Sequence, residues 1–122
     1  MADVLILVDD LFFSVQIENA ARAVGLRPVN GPGPAVTEAL GTNLRLVVLD
    51  LGLREAPWAD LLAQVREARA DVPVLAFGPH VDVAARRSAE AAGATRVVTK
   101  QQLVADLPGL LRRYAGLPSD SQ

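Results

Sequence analysis

The sequence predicts a doubly wound α/β domain: five parallel strands in the order 2-1-3-4-5, with five helices covering both faces of the sheet. Three observations predict it. Short, continuous apolar runs rich in β-branched residues recur along the chain, at Val4–Val8, Leu46–Leu49 and Val74–Phe77, and strands buried on both faces read this way. Stretches with apolar residues at helical spacing separate them, and strands alternating with helices imply parallel pairing. The chain has 122 residues with no internal repeat and no linker, a length for one domain. Right-handed crossovers then leave few topologies, of which 2-1-3-4-5 leads for five units.

Each element has its own justification. Val4–Val8 is the first strand. Phe13, Ile17, Ala20, Ala21 and Val24 recur at helical spacing and Gly25 follows as a stop. Arg27–Asn30 is the second strand, placed at an edge because Pro28 cannot donate to a ladder. Pro34 to Leu40 is a short helix closed by Gly41. Leu46–Leu49 is the third strand, and Leu61, Leu62, Val65 and Ala68 form a helical stripe after Pro57. Val74–Phe77 is the fourth strand. Asp82 caps a helix over Val83 to Ala92 that ends at Gly93. Arg96–Thr99, shorter and more polar, is a fifth strand near an edge. Leu103, Leu107, Leu110, Leu111 and Tyr114 form the last helical stripe, with Pro108 a kink or a late helix start.

Composition narrows the function classes. At 51% hydrophobic and 21% charged, the chain supports a real core. A net charge of -2 without a basic stretch favours neither nucleic acid nor an anionic membrane. The absence of cysteine removes disulfides, thiol catalysis and cysteine–zinc sites. No apolar run approaches the roughly 20 residues of a membrane span, and no basic region precedes the first one, so a cytoplasmic protein is expected. Residues 1–117 are expected to form the domain and 118–122 a disordered tail.

In open α/β sheets, sites form outside the carboxyl ends of the strands. Asp9 and Asp10 follow the first strand, Asp50 the third, Gly78 and then Pro79 and His80 the fourth, and Lys100 the fifth. Three carboxylates sharing a pocket repel one another, and one is protonated unless a cation neutralises them. Mg²⁺ suits a site with a few carboxylates and several waters. It would also neutralise an incoming phosphoryl group, which a carboxylate could attack to form an acyl phosphate. Lys100 is the one lysine beside eleven arginines; its compact charge can meet a phosphoryl oxygen or pair with Asp50.

The pattern resembles a response-regulator receiver domain of the CheY-like, flavodoxin-like fold, over nearly the whole chain. VDD at Val8–Asp10 matches that family's acidic pair, VVLDL at Val47–Leu51 its phosphoacceptor strand, and PVLAF at Pro73–Phe77 its fourth strand. AAGATRVVTK at Ala91–Lys100 matches its Ala-Gly-Ala segment, with the lysine seven residues after the glycine. The resemblance implies that Asp50 is the phosphoacceptor, that Asp10 binds Mg²⁺ directly while Asp9 orients its water shell, and that Lys100 senses the phosphoryl group. With Asp50, these two acids make up the implied metal site. It also implies a histidine kinase or histidine phosphotransfer protein as donor, an effector protein as target and a possible homodimer.

The chain also departs from that pattern. Receivers usually carry Ser or Thr where Gly78 stands, and an aromatic switch residue where Val97 stands. Gln101 replaces the usual proline after the lysine, and LGLREAPWADLL after Asp50 lacks the familiar Met-Pro and Asp-Gly pattern. The acidic pocket is kept while the hydroxyl–aromatic relay is lost. DLFF at Asp10–Phe13 and AFGPHVD at Ala76–Asp82 resemble a divergent set of single-domain receiver-like proteins.

Plainer readings stand beside these. Asp9 and Asp10 could be solvated loop acids, one capping the next helix; Lys100 an exposed lysine; His80 a loop residue, although Gly78 leaves it room to reach a phosphoryl group. Phe13 fits the core stripe with Ile17. Leu11 and Phe12 either pack under neighbouring loops or form an apolar contact patch beside the pocket. Arg86, Arg87, Val97, Arg112 and Arg113 lie where receivers commonly dimerise. The leading expectation is an atypical single-domain receiver that accepts phosphoryl at Asp50 with Mg²⁺ and turns over no external substrate. The alternative is a pseudo-receiver, a protein-interaction module indifferent to phosphate. A phosphatase of the aspartate-nucleophile type ranks low, because Asp50-Leu51-Gly52 lacks a second acid. GPGP at Gly31–Pro34 is too proline-bound for a phosphate loop.

Overall fold

The period-2 alternation of side chains along each strand divides this protein into two apolar layers, one on each face of a parallel sheet. The structure, a computed structural model, describes residues 2–54, 57–78 and 81–118. Its elements are β1 (Val4–Leu7), α1 (Leu11–Ala23), β2 (Pro28–Gly31), α2 (Pro34–Leu40), β3 (Leu46–Asp50), α3 (Trp58–Ala68), β4 (Val74–Gly78), α4 (Val83–Ala91), β5 (Arg96–Thr99), α5 (Lys100–Ala105) and α6 (Leu107–Tyr114). All pairings are parallel, and the strand order is β2-β1-β3-β4-β5, as the sequence predicts.

Leu5, Leu7, Val47, Leu49, Ala76 and Val97 point to one face, against Val36, Leu40, Leu61, Leu62, Val65 and Ala89 of α2, α3 and α4. Val4, Ile6, Val48, Leu75, Phe77 and Val98 point to the other, against Phe13, Ile17 and Ala21 of α1 and Leu103, Leu107 and Leu111 of α5 and α6. Each fully buried Leu, Ile or Phe contributes about 1.5–3 kcal/mol relative to exposure. The continuous apolar character of β1, β3 and β4 is therefore the direct consequence of having helices on both sides.

Where the structure differs from the sequence reading, local chemistry explains it. Five helices were expected and six are present among the described residues: the final stripe breaks at Asp106 (φ -144, ψ 48), and α6 starts at Leu107 with Pro108 in its first turn. Proline has no N–H to continue α5's ladder, but at a helix start that group has no partner to lose. β2 begins one residue later than expected, at Pro28, with Arg27 anchored against Asp3 and the start of β1. The Arg27 N–H and Nε donate to Asp3 Oδ2 at 2.8 and 3.2 Å, and its carbonyl accepts from Asp3 and Val4. Burial works to raise the Asp3 carboxyl, yet the Arg27 N–H and guanidinium outweigh it and hold Asp3 below its ordinary value. α1 starts at Leu11, directly after its cap Asp10. Asp82 caps α4 as expected, accepting from Ala85 N at 2.7 Å. Of the tail, residues 119–122 lie outside the described residues.

Candidate functional site

Register delivers the site. Leu7 of β1 pairs with Leu49 of β3, and Asp50 pairs with Phe77 of β4, whose neighbour Gly78 pairs with Thr99 of β5. The residues that follow, Asp9 and Asp10, then Lys100, therefore emerge beside Asp50 at the same sheet edge. They share one cleft of ≈ 460 Å³ whose walls are Asp9, Asp10, Asp50 and Lys100, with Phe13, Phe77, Gly52 and Arg54. All four charged residues singled out from the sequence thus come together. His80 lies outside the described residues.

Within the cleft the three carboxyl groups are held differently. Asp10 Oδ1 accepts the Phe13 N–H at 3.1 Å and so caps α1, which bears out part of the plainer reading of that residue. Asp9 Oδ2 accepts the Arg54 N–H. Asp9 Oδ1 is buried without a hydrogen-bond partner, the one such side-chain atom among the described residues. Asp50 is half-buried, and its Oδ1 accepts the Gly52 N–H at 2.8 Å. Burial pushes the Asp50 carboxyl above its ordinary value. The Gly52 N–H and Lys100 pull it down, while the charges of Asp9 and Asp10 add to the rise.

A buried carboxylate oxygen with nothing to accept from carries a desolvation cost that a cation or its bound water would remove. Oxygen donors of this kind suit a hard divalent ion such as Mg²⁺. The acids are not pre-gathered: among the described residues no three acidic or histidine side chains stand close enough to form a ready cage. Each of the three engages a backbone N–H instead, so a cation would have to draw Asp10 and Asp50 partly off their loops.

Lys100 does not pair with Asp50. Its Nζ stands 4.6 Å from the centroid of the Phe13 ring, and the ion pairs Arg22–Glu18, Arg27–Asp3 and Arg69–Asp71 do not involve it. Leu11 and Phe12 do not pack under loops either. They are 73% and 88% exposed, whereas Phe13 is buried, as its place in the core stripe predicts. Gly78 is buried at the end of β4, where an added Cβ would lie 3.6 Å from Val81 and 3.8 Å from Leu51, both ordinary contacts. Val97 is fully buried, and its carbonyl accepts from Arg86 Nη1 at 2.7 Å. Sequence reasoning missed the N–H groups of Gly52 and Arg54, which orient two carboxylates, and the aromatic wall of Phe13 and Phe77. Backbone donors leave no trace in residue identity. The wall had one signal, two aromatic residues in segments that bracket the acids. A second groove of ≈ 600 Å³ lies between α2 and α3, lined by Thr37, Leu40, Asp60, Ala63, Gln64 and Glu67 among others; it holds none of these features.

No protein-family profile matches the chain, and no curated protein matches it in sequence. Solved structures do match. The chemotaxis protein CheY4 of Vibrio cholerae superposes with a TM-score of 0.81 at 18% identity, covering 93% of this chain and 98% of that one. The BeF3-activated DrrB receiver domain gives 0.79 at 19% identity, covering 95% and 98%. A response regulator from Burkholderia pseudomallei, solved with a phosphorylated aspartic acid, calcium and citrate, gives 0.78 at 18% identity, covering 95% and 69%. At such identities the likeness establishes the fold: this chain has the CheY-like receiver fold expected from its motifs. No helix among the described residues is long and apolar enough to cross a membrane.

Proposed function

We propose that this protein is an atypical receiver: with Mg²⁺ bound in the acidic cleft, Asp50 accepts a phosphoryl group, and the protein signals through partner proteins. The observation that carries the reading is the buried, partnerless Oδ1 of Asp9 in a cleft shared with two more carboxyls and the chain's one lysine. Asp9 and Asp10 would hold the cation together with Asp50. When bound, Mg²⁺ supplies positive charge that offsets the three acids and the incoming phosphoryl oxygens. Asp50 is the nucleophile. One of its oxygens forms a bond to phosphorus as the donor's P–N bond to histidine breaks, the imidazole nitrogen keeping the electron pair. Lys100 then meets a phosphoryl oxygen. No external substrate is turned over. Donors are a histidine kinase or a histidine phosphotransfer protein, the output is an effector protein, and the α4–β5 side, with Arg86 and Arg87, is the candidate face for a homodimer.

The test is a two-dimensional NMR titration with Mg²⁺ and beryllofluoride, an acyl-phosphate mimic. Shifts centred on residues 9, 10, 50 and 100 that need both additives and vanish in Asp50→Asn support the reading; no response in either protein overturns it.

A second reading has its own support. Gly78 offers no hydroxyl to a phosphoryl group, and Val97 is a fully buried aliphatic side chain with no ring to swing. A pseudo-receiver that docks on a partner irrespective of phosphate fits those two positions, and it predicts the silent titration.

A further inference from the structure

Lys100 makes its close contact with a ring rather than with an acid, although three carboxyls line the same cleft. Its backbone cannot be the moving part. It is the first residue of α5, and Thr99 and Gln102 lock that helix start in a capping box, Thr99 N donating to Gln102 Oε1 at 2.8 Å and Gln102 N to Thr99 Oγ1 at 3.0 Å. Only the four-carbon stem is left to redirect the ammonium. The ring beneath it is equally fixed. Phe13 is 4% exposed and packs edge-on against Phe77, with centroids 5.3 Å apart and planes at 76°. An ammonium 4.6 Å above an aromatic centroid is within the range where the ring's negative face attracts it. Asp50 meanwhile turns one oxygen to the Gly52 N–H of its own loop.

We propose that the Phe13 ring is the resting seat of the Lys100 ammonium, and that Lys100 leaves it for the phosphoryl oxygens when Asp50 is modified. Phe13 is thus a positioning residue that sets how readily the lysine is released. The second half of this inference rests on the phosphoacceptor reading of Asp50; the seat itself does not. A dianionic phosphoryl group outcompetes a neutral ring for a point charge; without it the ammonium stands over the Phe13 ring.

The single lysine makes the test direct, since protein labelled with [ε-¹³C]lysine gives one ε-methylene signal. In the free protein that signal is shifted upfield by the Phe13 ring, and in Phe13→Leu it returns to the position of a solvated lysine. With Mg²⁺ and beryllofluoride the wild-type signal also leaves its upfield position. Beryllofluoride binds Phe13→Leu at least about two- to five-fold more tightly than wild type, the factor expected from losing a cation–π contact worth about 0.5–1 kcal/mol. That gain is absent when Phe13→Leu is made on a Lys100→Met background. Phe13→Met serves if the leucine variant does not fold. An unshifted signal in the free wild type overturns the seat. A signal that stays upfield while the Asp50 and Leu51 amides report bound beryllofluoride overturns the release, as does an equal affinity gain on both backgrounds. If beryllofluoride fails to bind at all, the release falls with the phosphoacceptor reading, and the upfield signal of the free protein still decides the seat by itself.

Discussion

The carboxyl of Asp50 closes back on its own loop, Oδ1 accepting the Gly52 N–H at 2.8 Å. That bond favours the charged form. It does not win: burial, with the charges of Asp9 and Asp10, leaves the group raised above its ordinary value of 3.8, against the opposing pull of Gly52 and Lys100.

A pH dependence follows from this. With its value raised by folding, Asp50 binds more protons in the folded chain than in the unfolded one between the ordinary and the raised value. Stability in cation-free buffer therefore falls as pH rises through that window and levels off above it. Asp50→Asn, which keeps an acceptor for the Gly52 N–H, is expected to be more stable than wild type at neutral pH, with the advantage shrinking as pH falls toward 3.8. Urea midpoints measured across this range check it. A variant less stable than wild type at pH 7 would mean that the carboxylate is welcome in its site.

Asp10 has two roles that substitution separates. As the N-cap of α1 it accepts the Phe13 N–H, and losing such a cap costs about 1 kcal/mol. Asp10→Ser keeps a capping oxygen and is expected to retain thermal stability to within a few tenths of a kcal/mol. Asp10→Ala loses the cap. Under the proposed function both variants bind Mg²⁺ more weakly than wild type, so calorimetric Mg²⁺ affinity and melting temperature should diverge for the serine variant alone.

Phe12 and Phe13 are neighbours with opposite environments, 88% and 4% exposed. Phe12→Ser is expected to change stability by less than about 0.5 kcal/mol. Phe13→Ala empties a space between Lys100 and Phe77 and is expected to cost about 3–5 kcal/mol. Chemical denaturation of the two variants side by side measures the contrast. Similar losses in both would place Phe12 in the core, against the geometry.

That contrast also marks how far the sequence could be read. Sheet order and the identity of the clustered charges were legible, because a buried parallel strand must be apolar along its length and its carboxyl end is where the next polar residue falls. Asp9, Asp10, Asp50 and Lys100 stood at three such ends. The fate of each side chain was not legible. Whether Lys100 lies on Phe13 or on Asp50 depends on rotamers and on the Gly52 and Arg54 N–H groups, which residue identity does not encode. Leu11 and Phe12 read as apolar in a one-dimensional pattern, yet they sit in the first turn of α1 and face outward. The break between α5 and α6 was half-legible. Pro108 flagged it, but whether it bends one helix or starts another depends on the Asp106 backbone.

Two glycines make the last prediction. Gly93 has φ +115, and a Cβ there would meet Arg66 Nε at 2.8 Å. Arg66 cannot yield easily, because its guanidinium donates to the carbonyls of Gly93, Arg69 and Val72 and so ties α3 to the turn before β5. Gly93→Ala is expected to cost about 1–3 kcal/mol through backbone strain and a displaced arginine. Gly78 is outside the left-handed region, and its added Cβ would make only ordinary contacts with Val81 and Leu51. Gly78→Ala and Gly78→Ser are thus expected to fold with stability equal to wild type or slightly above it, since a strand glycine has more freedom to lose. They should part in function. If Asp50 accepts a phosphoryl group, the serine hydroxyl stands where receivers usually place one, and a hydrogen bond to a charged oxygen is worth about 1.5–3 kcal/mol. Beryllofluoride should bind Gly78→Ser about ten-fold more tightly than Gly78→Ala, for the smaller of those values. Equal affinities in the two variants would place the phosphoryl group away from the end of β4, and with it the assignment of Asp50 would fail.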